Sequence, residues 1–261
     1  MPDSLPDPAT TAALAAERVL ILDFGSQVTQ LIARRLRESG VYCEIWPFNA
    51  DPARIAAWRP RGVILSGGPA SVHEAAAPLA PPSVFTLGAP VLGICYGEQL
   101  LCQQLGGEVL GSDHREFGRA FVDVTDDCAL FHGVWPKGAR EQVWMSHGDR
   151  VTRLPPGFRV VAVSDGAPFA AIADDARKFY GVQFHPEVVH TPHGAALLRN
   201  FTHGVLGLSG TWTMAGFRAT EIARIHAEAS TVSAIMDPKL LKPPTPPAHS
   251  KTPTTTPSLL Y

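Results

Sequence analysis

Val19-Leu20-Ile21-Leu22-Asp23-Phe24-Gly25-Ser26 is a short, unbroken apolar run that ends in polar and small residues. Four apolar residues in a row without alternation describe a strand covered on both faces, and the polar exit describes its departure into a loop. Ser26 is placed to cap a following helix, in which Leu31, Ile32 and Leu36 make an apolar stripe backed by Arg34, Arg35 and Glu38, with Gly40 as the stop. Val41 to Ile45 reads as the next strand. The same theme of a hydrophobic strand running into small residues returns at Arg61 to Pro69 and at Ala89 to Cys95, the latter followed by a helical pattern from Glu98 to Leu105 closed by Gly106 and Gly107. Ala120 to Val124, Val160 to Val163 and Phe179 to Gln183 suggest further, partly antiparallel strands, and His193 to Val205 a last helix. Alternating strands and helices predict an α/β fold: an open, mostly parallel sheet with helices on both faces, three layers in all, and added antiparallel strands. In such sheets chemistry gathers at the carboxyl ends of the strands.

Composition narrows the function. The 261 residues are 45% hydrophobic and 18% charged, with a net charge of −2 and no basic run, so neither nucleic acid nor an anionic membrane is an expected partner. Apolar stretches such as Val19 to Leu22 and Gly62 to Leu65 are far shorter than the roughly 18 residues that span a bilayer. Met1 to Glu17 has Asp3 and Asp7 but no Lys or Arg, unlike a secretory or transit peptide, which predicts a soluble, cytoplasmic protein. Cys43, Cys95, Cys102 and Cys128 are scattered, with no Cys-x-x-Cys pair, so a disulfide framework or zinc knuckle is not expected and a chemical thiol is. The chain divides into a flexible segment 1–17, a principal domain 18–206, a linker 207–229 with a possible helix carrying Met214, Phe217, Ile222 and Ile225, and a Pro/Thr-rich stretch 230–261 expected to be disordered.

Gly93-Ile94-Cys95-Tyr96-Gly97 sets a thiol at a strand end between glycines and just before a helix. The glycines permit a tight strand-to-helix turn, and the helix N-terminus favours thiolate, so Cys95 is the candidate nucleophile. A buried structural cysteine in an ordinary turn is the bland alternative. Gln183-Phe184-His185-Pro186-Glu187 offers a base with an orienting carboxylate, because residues i and i+2 of an extended segment share a face and Pro186 biases His185 toward that geometry. The pair suits a Cys-His-Glu relay. A competing reading makes His185, Glu187, His190 and His193 a metal cluster, but Pro186 and Pro192 prevent the continuous helix that a His-Glu-x-x-His site requires, and no metal is expected. At the third strand exit, Ser66-Gly67-Gly68-Pro69 exposes bare backbone, and the Gly68 N–H with that of Tyr96 would make a two-donor oxyanion hole. Asp23-Phe24-Gly25 imitates a kinase signature but has no Gly-rich lobe or catalytic loop before it. Pro69, with no Lys or Asp following, argues against a phosphate loop.

The elbow, His-Pro-Glu and Gly-Gly-Pro together resemble the class I glutamine amidotransferases, whose triad is Cys-His-Glu on a flavodoxin-like sheet. Ile21 to Gln27, Gly40 to Glu44, Cys95-Tyr-Gly-x-Gln99, Arg115 to Gly118, Val143 to Asp149, Phe179 to Glu187 and Thr211 to Thr213 resemble, within that family, the glutaminase domains of GMP synthases. The likeness covers about residues 18 to 226. It implies that Cys95 attacks the side-chain amide of glutamine, that Gly68 and Tyr96 hold the oxyanion, that His185 oriented by Glu187 moves the proton, and that Gln99 with Ser146, His147, Gly148 and Asp149 holds the substrate. The family's complete members continue into an ATP pyrophosphatase domain, which uses ATP and Mg to aminate XMP. Here His226 to Tyr261 is unlike any part of the family and reads as a truncated or frame-shifted end, so the expectation is a glutaminase without its own cofactor and a synthetase partner in trans. The small subunits of carbamoyl-phosphate or anthranilate synthesis, or an inert glutamine-binding fragment, are the alternatives.

Overall fold

A computed structural model describes residues 17–219, 221–222 and 225–226, without the side chains of 112–115. The stretch before Glu17 and the Pro/Thr-rich stretch 230–261 lie outside the described residues. Nine strands form one sheet: β1 Arg18–Asp23, β2 Tyr42–Pro47, β3 Gly62–Leu65, β4 Val91–Ile94, β5 Glu108–Val124, β6 Arg140–Arg153, β7 Arg159–Val163, β8 Ala171–Asp174 and β9 Phe179–Val182. Their spatial order is β2-β1-β3-β4-β9-β8-β7-β5-β6. The first five in that order are parallel, and the remaining pairings, β9 with β8 through β5 with β6, are antiparallel. The α/β class and the parallel sheet with antiparallel additions therefore stand as expected.

The two-sided burial read from the apolar runs is what the sheet shows. Val19 and Ile21 of β1 pack on one face with Ile32 and Leu36 of α1 (Thr29–Glu38) and Leu197 of α4 (Gly194–Arg199). Leu20 and Leu22 pack on the other with Ile55 of α2 (Pro52–Trp58) and Leu100 and Leu101 of α3 (Tyr96–Gln104). A π-helical turn, Asn200–Val205, extends α4, so the expected last helix is present with a change of pitch.

Two helix starts differ from the sequence reading. The first helix begins at Thr29, not directly after Ser26, because Ser26 turns its hydroxyl onto the Val28 N–H (3.2 Å) and Asp23 accepts from Gly25 N (3.0 Å) and Thr29 Oγ1 (2.8 Å). These local bonds close a turn and delay the helix. The third helix begins earlier, at Tyr96 rather than Glu98, because the chain turns within the single residue Cys95. Beyond the sheet, Leu208 and Trp212 are buried and the Trp212 N–H donates to Gly40 O at 2.8 Å, so residues 207–213 lie against the turn after α1. Residues 214–219 are helical. Among the described residues no helix is long and apolar enough to cross a membrane.

Leu20 is fully buried whereas Leu110 is 48% exposed. Leu20→Ala is expected to lower unfolding free energy by about 2–5 kcal/mol and Leu110→Ala by less than about 1, read from urea denaturation midpoints; equal effects would contradict the assigned layers.

Candidate active site

Three adjacent strand ends build the site. In the parallel register Ile94 of β4 stands beside Val182 of β9, and Leu65 of β3 beside Gly93, so the residues leaving β3, β4 and β9 emerge side by side. Cys95 follows β4, Gly67 and Gly68 follow β3, and His185 lies three residues beyond β9. The Cys95 N–H donates to Val182 O at 2.7 Å, and its carbonyl accepts from the amides of Glu98 (3.0 Å) and Gln99 (3.2 Å), opening α3. This leaves Cys95 with φ 53° and ψ −108°, a left-handed conformation that costs an L-residue about 1–3 kcal/mol and is typical of functional turns. The flanking glycines are needed sterically: a Cβ at Gly93 would lie 2.5 Å from Gly97 O, and one at Gly97 would collide with the backbone of Leu65.

His185 Nδ1 and Glu187 Oε1 are 2.7 Å apart, and Glu187 is fully buried. The His-Pro-Glu turn is braced on several sides. Its His185 N–H donates to Trp144 O (2.9 Å), Thr191 Oγ1 donates to His185 O (2.7 Å), and Arg35 Nε donates to Glu187 O (3.2 Å). Gly194 opens α4 directly against Pro186, where a Cβ would overlap the Pro186 carbonyl. With Nδ1 engaged, Nε2 is the nitrogen left for the thiol, and a Cβ on Gly67 would fall 3.1 Å from His185 Cε1 and 3.7 Å from Cys95 Cβ, so the two side chains meet above this glycine. Burial disfavours the imidazolium, but hydrogen bonds to Cys95 and Glu187 and the charges of both outweigh it and hold the His185 pKa up to about 10. The Cys95 thiol also lies 3.4 Å from Ser146 O.

Gly68 fits where it does because a Cβ would come within 2.6 Å of Phe24 O. Ser66 fixes this loop by accepting from Phe24 N (3.0 Å) and donating to Gly67 O (2.8 Å). The amides of Gly68 and of Tyr96, the first residue of α3, donate to no backbone acceptor among the described residues. Two clefts meet at Cys95. One of about 470 Å³ runs past Gly68, Tyr96, Gln99 and Ser146 to Asp149, with Phe117 and Glu74 at its rim, and one of about 280 Å³ lies toward Gln27, Val28 and His185.

The structure gathers every residue of the sequence-derived site, but two of those expected to hold substrate, Gln99 and His147, have side chains committed to protein. The Gln99 amide nitrogen donates to Asp149 O (2.8 Å) and Gln183 Oε1 (3.1 Å), leaving its oxygen as the free polar atom. The His147 ring is 1% exposed and sits between Asp149 O and Glu116. His190 stacks on Trp144 with ring centroids 4.4 Å apart, and His193 Nδ1 is shared by Trp135 (3.2 Å) and Glu141 (3.1 Å). Among the described residues no group of three or more His, Cys, Asp or Glu could hold a metal ion. Sequence reasoning missed the supports Arg35, Thr191 and Gly194, which carry no local motif. It also missed Glu98, whose buried carboxyl, pushed well above the usual carboxylate range by burial and by Cys95, has no hydrogen-bond partner among the described residues.

The family model of the class I glutamine amidotransferases matches residues 20–205. This chain belongs to that family. It is 62% identical over 229 residues to GMP synthase [glutamine-hydrolyzing] of Rhodopseudomonas palustris, covering 88% of this chain and 43% of that protein. It is equally identical, over 227 residues, to the enzyme so named in Nitrobacter hamburgensis, with 87% and 42% covered. The chain thus spans less than half the length of these relatives. Among solved structures, one described as a candidate subunit of GMP synthase from Thermoplasma acidophilum superposes with a TM-score of 0.65 at 33% identity, covering 73% of this chain and 94% of that one. A glutamine amidotransferase from Thermotoga maritima, 22% identical, shares the fold with a TM-score of 0.58 and coverages of 73% and 98%.

Glu187→Gln removes one of the interactions that raise the His185 pKa, so the imidazolium should be lost at lower pH. If the protonated ring serves the reaction, activity falls as pH rises through that pKa, and the alkaline limb of kcat/KM should move to lower pH in Glu187→Gln. An unmoved limb would remove Glu187 from the relay.

Proposed function

We propose that this chain is the glutaminase unit of a GMP-forming system, hydrolysing glutamine to glutamate and ammonia, and that Cys95, His185 and Glu187 are its triad. The observation that carries this is the line of Glu187, His185 and Cys95 across neighbouring strand ends, with the Gly68 and Tyr96 amides beside the thiol. In the larger cleft the glutamine side-chain carbonyl lies against Cys95. Sulfur, its proton held by His185, bonds to the amide carbon, and the oxygen takes up negative charge facing the Gly68 and Tyr96 N–H groups, each such donor being worth about 3 kcal/mol in a transition state. As the tetrahedral species collapses the C–N bond breaks, and His185 gives its proton to the departing ammonia. A glutamyl thioester remains. Water then attacks it with His185 as base, releasing glutamate and restoring the thiol.

Ser146, Gly148 and Asp149 border the cleft and are assigned to glutamine binding, with the Gln99 oxygen as a further acceptor. His147 acts there through its backbone and its partners, since its ring is spent on protein. Residues 18–206 are taken as the working domain and 207–229 as the segment leading away from it. The names of the relatives favour ammonia delivery to an XMP-aminating unit over carbamoyl-phosphate or anthranilate synthesis. That unit would bring the requirement for ATP and Mg. Operation in trans is supported by the description of the similar Thermoplasma acidophilum chain as one subunit of its enzyme, and the cytoplasm is its proposed compartment.

Purified chain given glutamine should release glutamate, and Cys95→Ala should reduce release by at least about 10³-fold. A separately expressed synthetase unit with ATP and XMP should stimulate it. Release unaffected by Cys95→Ala would overturn the triad, and no release even with the synthetase would leave an inert glutamine-binding fragment.

A further inference from the structure

The ladder of the strand that carries the glutamine-binding segment is interrupted within that segment. On β5 and β6, Gly111 pairs with Asp149 and Glu116 with His147, so Gly148 alone stands opposite the four residues 112–115. Regular backbone pairing is therefore broken at Gly148, between the paired residues His147 and Asp149 that border the cleft. A chain of side-chain bonds crosses this gap. Glu116 Oε1 accepts from Gly166 N (3.1 Å), and Oε2 accepts from Ser164 Oγ (3.2 Å) and meets His147 Nε2 at 3.1 Å. Gly166 leaves room for this carboxylate, because a Cβ there would displace the Glu116 side chain. The other His147 nitrogen, Nδ1, lies 3.1 Å from Asp149 O, the same carbonyl that accepts from Gln99 Nε2 at 2.8 Å. The path continues from Gln99 to Gln183 of the β9 exit.

We propose that Glu116 is a positioning residue for glutamine binding: through His147 it holds the Asp149 carbonyl against Gln99 and so sets residues 146–149 along the cleft. The donor inventory supports this. A carbonyl oxygen and a carboxylate only accept, so a ring bridging them is satisfied with a proton on each nitrogen, and Glu116 is otherwise met by donors alone. The tie anchors β6 to the turn between β7 and β8 and makes no bond of its own to the thiol, His185 or Glu187. Its loss is felt in glutamine affinity, with little effect on the chemical step. Glu116→Ala leaves the Gly166 N–H, the Ser164 hydroxyl and His147 Nε2 without their acceptor. Glu116→Gln keeps the geometry without the charge: its oxygen accepts from Gly166 and its amide donates to an imidazole protonated on Nδ1 alone.

The glutamine part of this inference rests on the function proposed above, whereas the tie itself does not. Glutamine binding is measured by calorimetry in a Cys95→Ala background, where turnover is removed, together with hydrogen exchange at the amides of 146–149. Glu116→Ala should weaken binding by about tenfold or more and speed exchange at these amides, with Glu116→Gln restoring both to within about threefold of the parent. In the active chain the same substitution should raise KM with kcat within about threefold. Ser164→Ala, which removes one donor to Glu116 and the acceptor of the Ala167 N–H, should shift binding in the same direction by less and serves if Glu116→Ala does not fold. Unchanged binding in Glu116→Ala, a loss confined to kcat, or Glu116→Gln no better than Glu116→Ala would each overturn the proposal. A parent that binds no glutamine would overturn the functional reading, and in that case unchanged exchange at 146–149 would separately overturn the tie.

Discussion

Everything at the candidate site depends on the parallel pairing of β4 with β9. The register that sets Ile94 beside Val182 brings together two segments about ninety residues apart, and the 2.7 Å bond from Cys95 N to Val182 O extends that pairing into the elbow itself. A slip of one residue would invert the faces of β9, carrying Gln183 away from Gln99 and His185 away from the thiol. The register is well specified because β4 and β9 are buried along their whole length, so a slip would also strip the core.

The site stores unfavourable terms that this framework holds in place. Cys95 sits in a left-handed conformation, Glu187 has one carboxylate oxygen without a partner among the described residues, and Glu98 is a fully buried carboxyl under the elbow. Each costs free energy that an apolar or relaxed substitute would not. They persist because glycines at 68, 93, 97 and 194 let backbone and side chains approach at distances a Cβ would forbid. The raised pKa of His185 follows from the same enclosure: burial opposes the imidazolium, and its interactions with Cys95 and Glu187 prevail.

Much of this was legible in the amino-acid sequence for a definite reason. Fully buried parallel strands are unbroken apolar runs, and strand exits that must approach other backbone are Gly-rich, so β1, β3, β4 and their loops stand out. What was not legible is long-range or competitive. The delayed start of α1 reflects Asp23 and Ser26 capturing local donors, and the long β5 is hidden because it contains the polar stretch 112–116. The His147 ring illustrates the limit most clearly. Its motif neighbours border the cleft, but its own partner, Glu116, comes from a strand 31 residues earlier, and only the cross-strand register shows that the ring faces inward.

The central claim is that the Cys95 sulfur, paired with His185, becomes covalently attached to glutamine's side-chain carbon. The direct measurement is intact-protein and peptide mass spectrometry after rapid acid quench with glutamine, in the wild-type chain and in Cys95→Ser. The account predicts an added mass equal to glutamine less ammonia on the peptide carrying Cys95 in the wild type, with no thioester in the variant. Glutamate formation with no such adduct at any quench time, or an adduct on Cys43, Cys102 or Cys128, would contradict it.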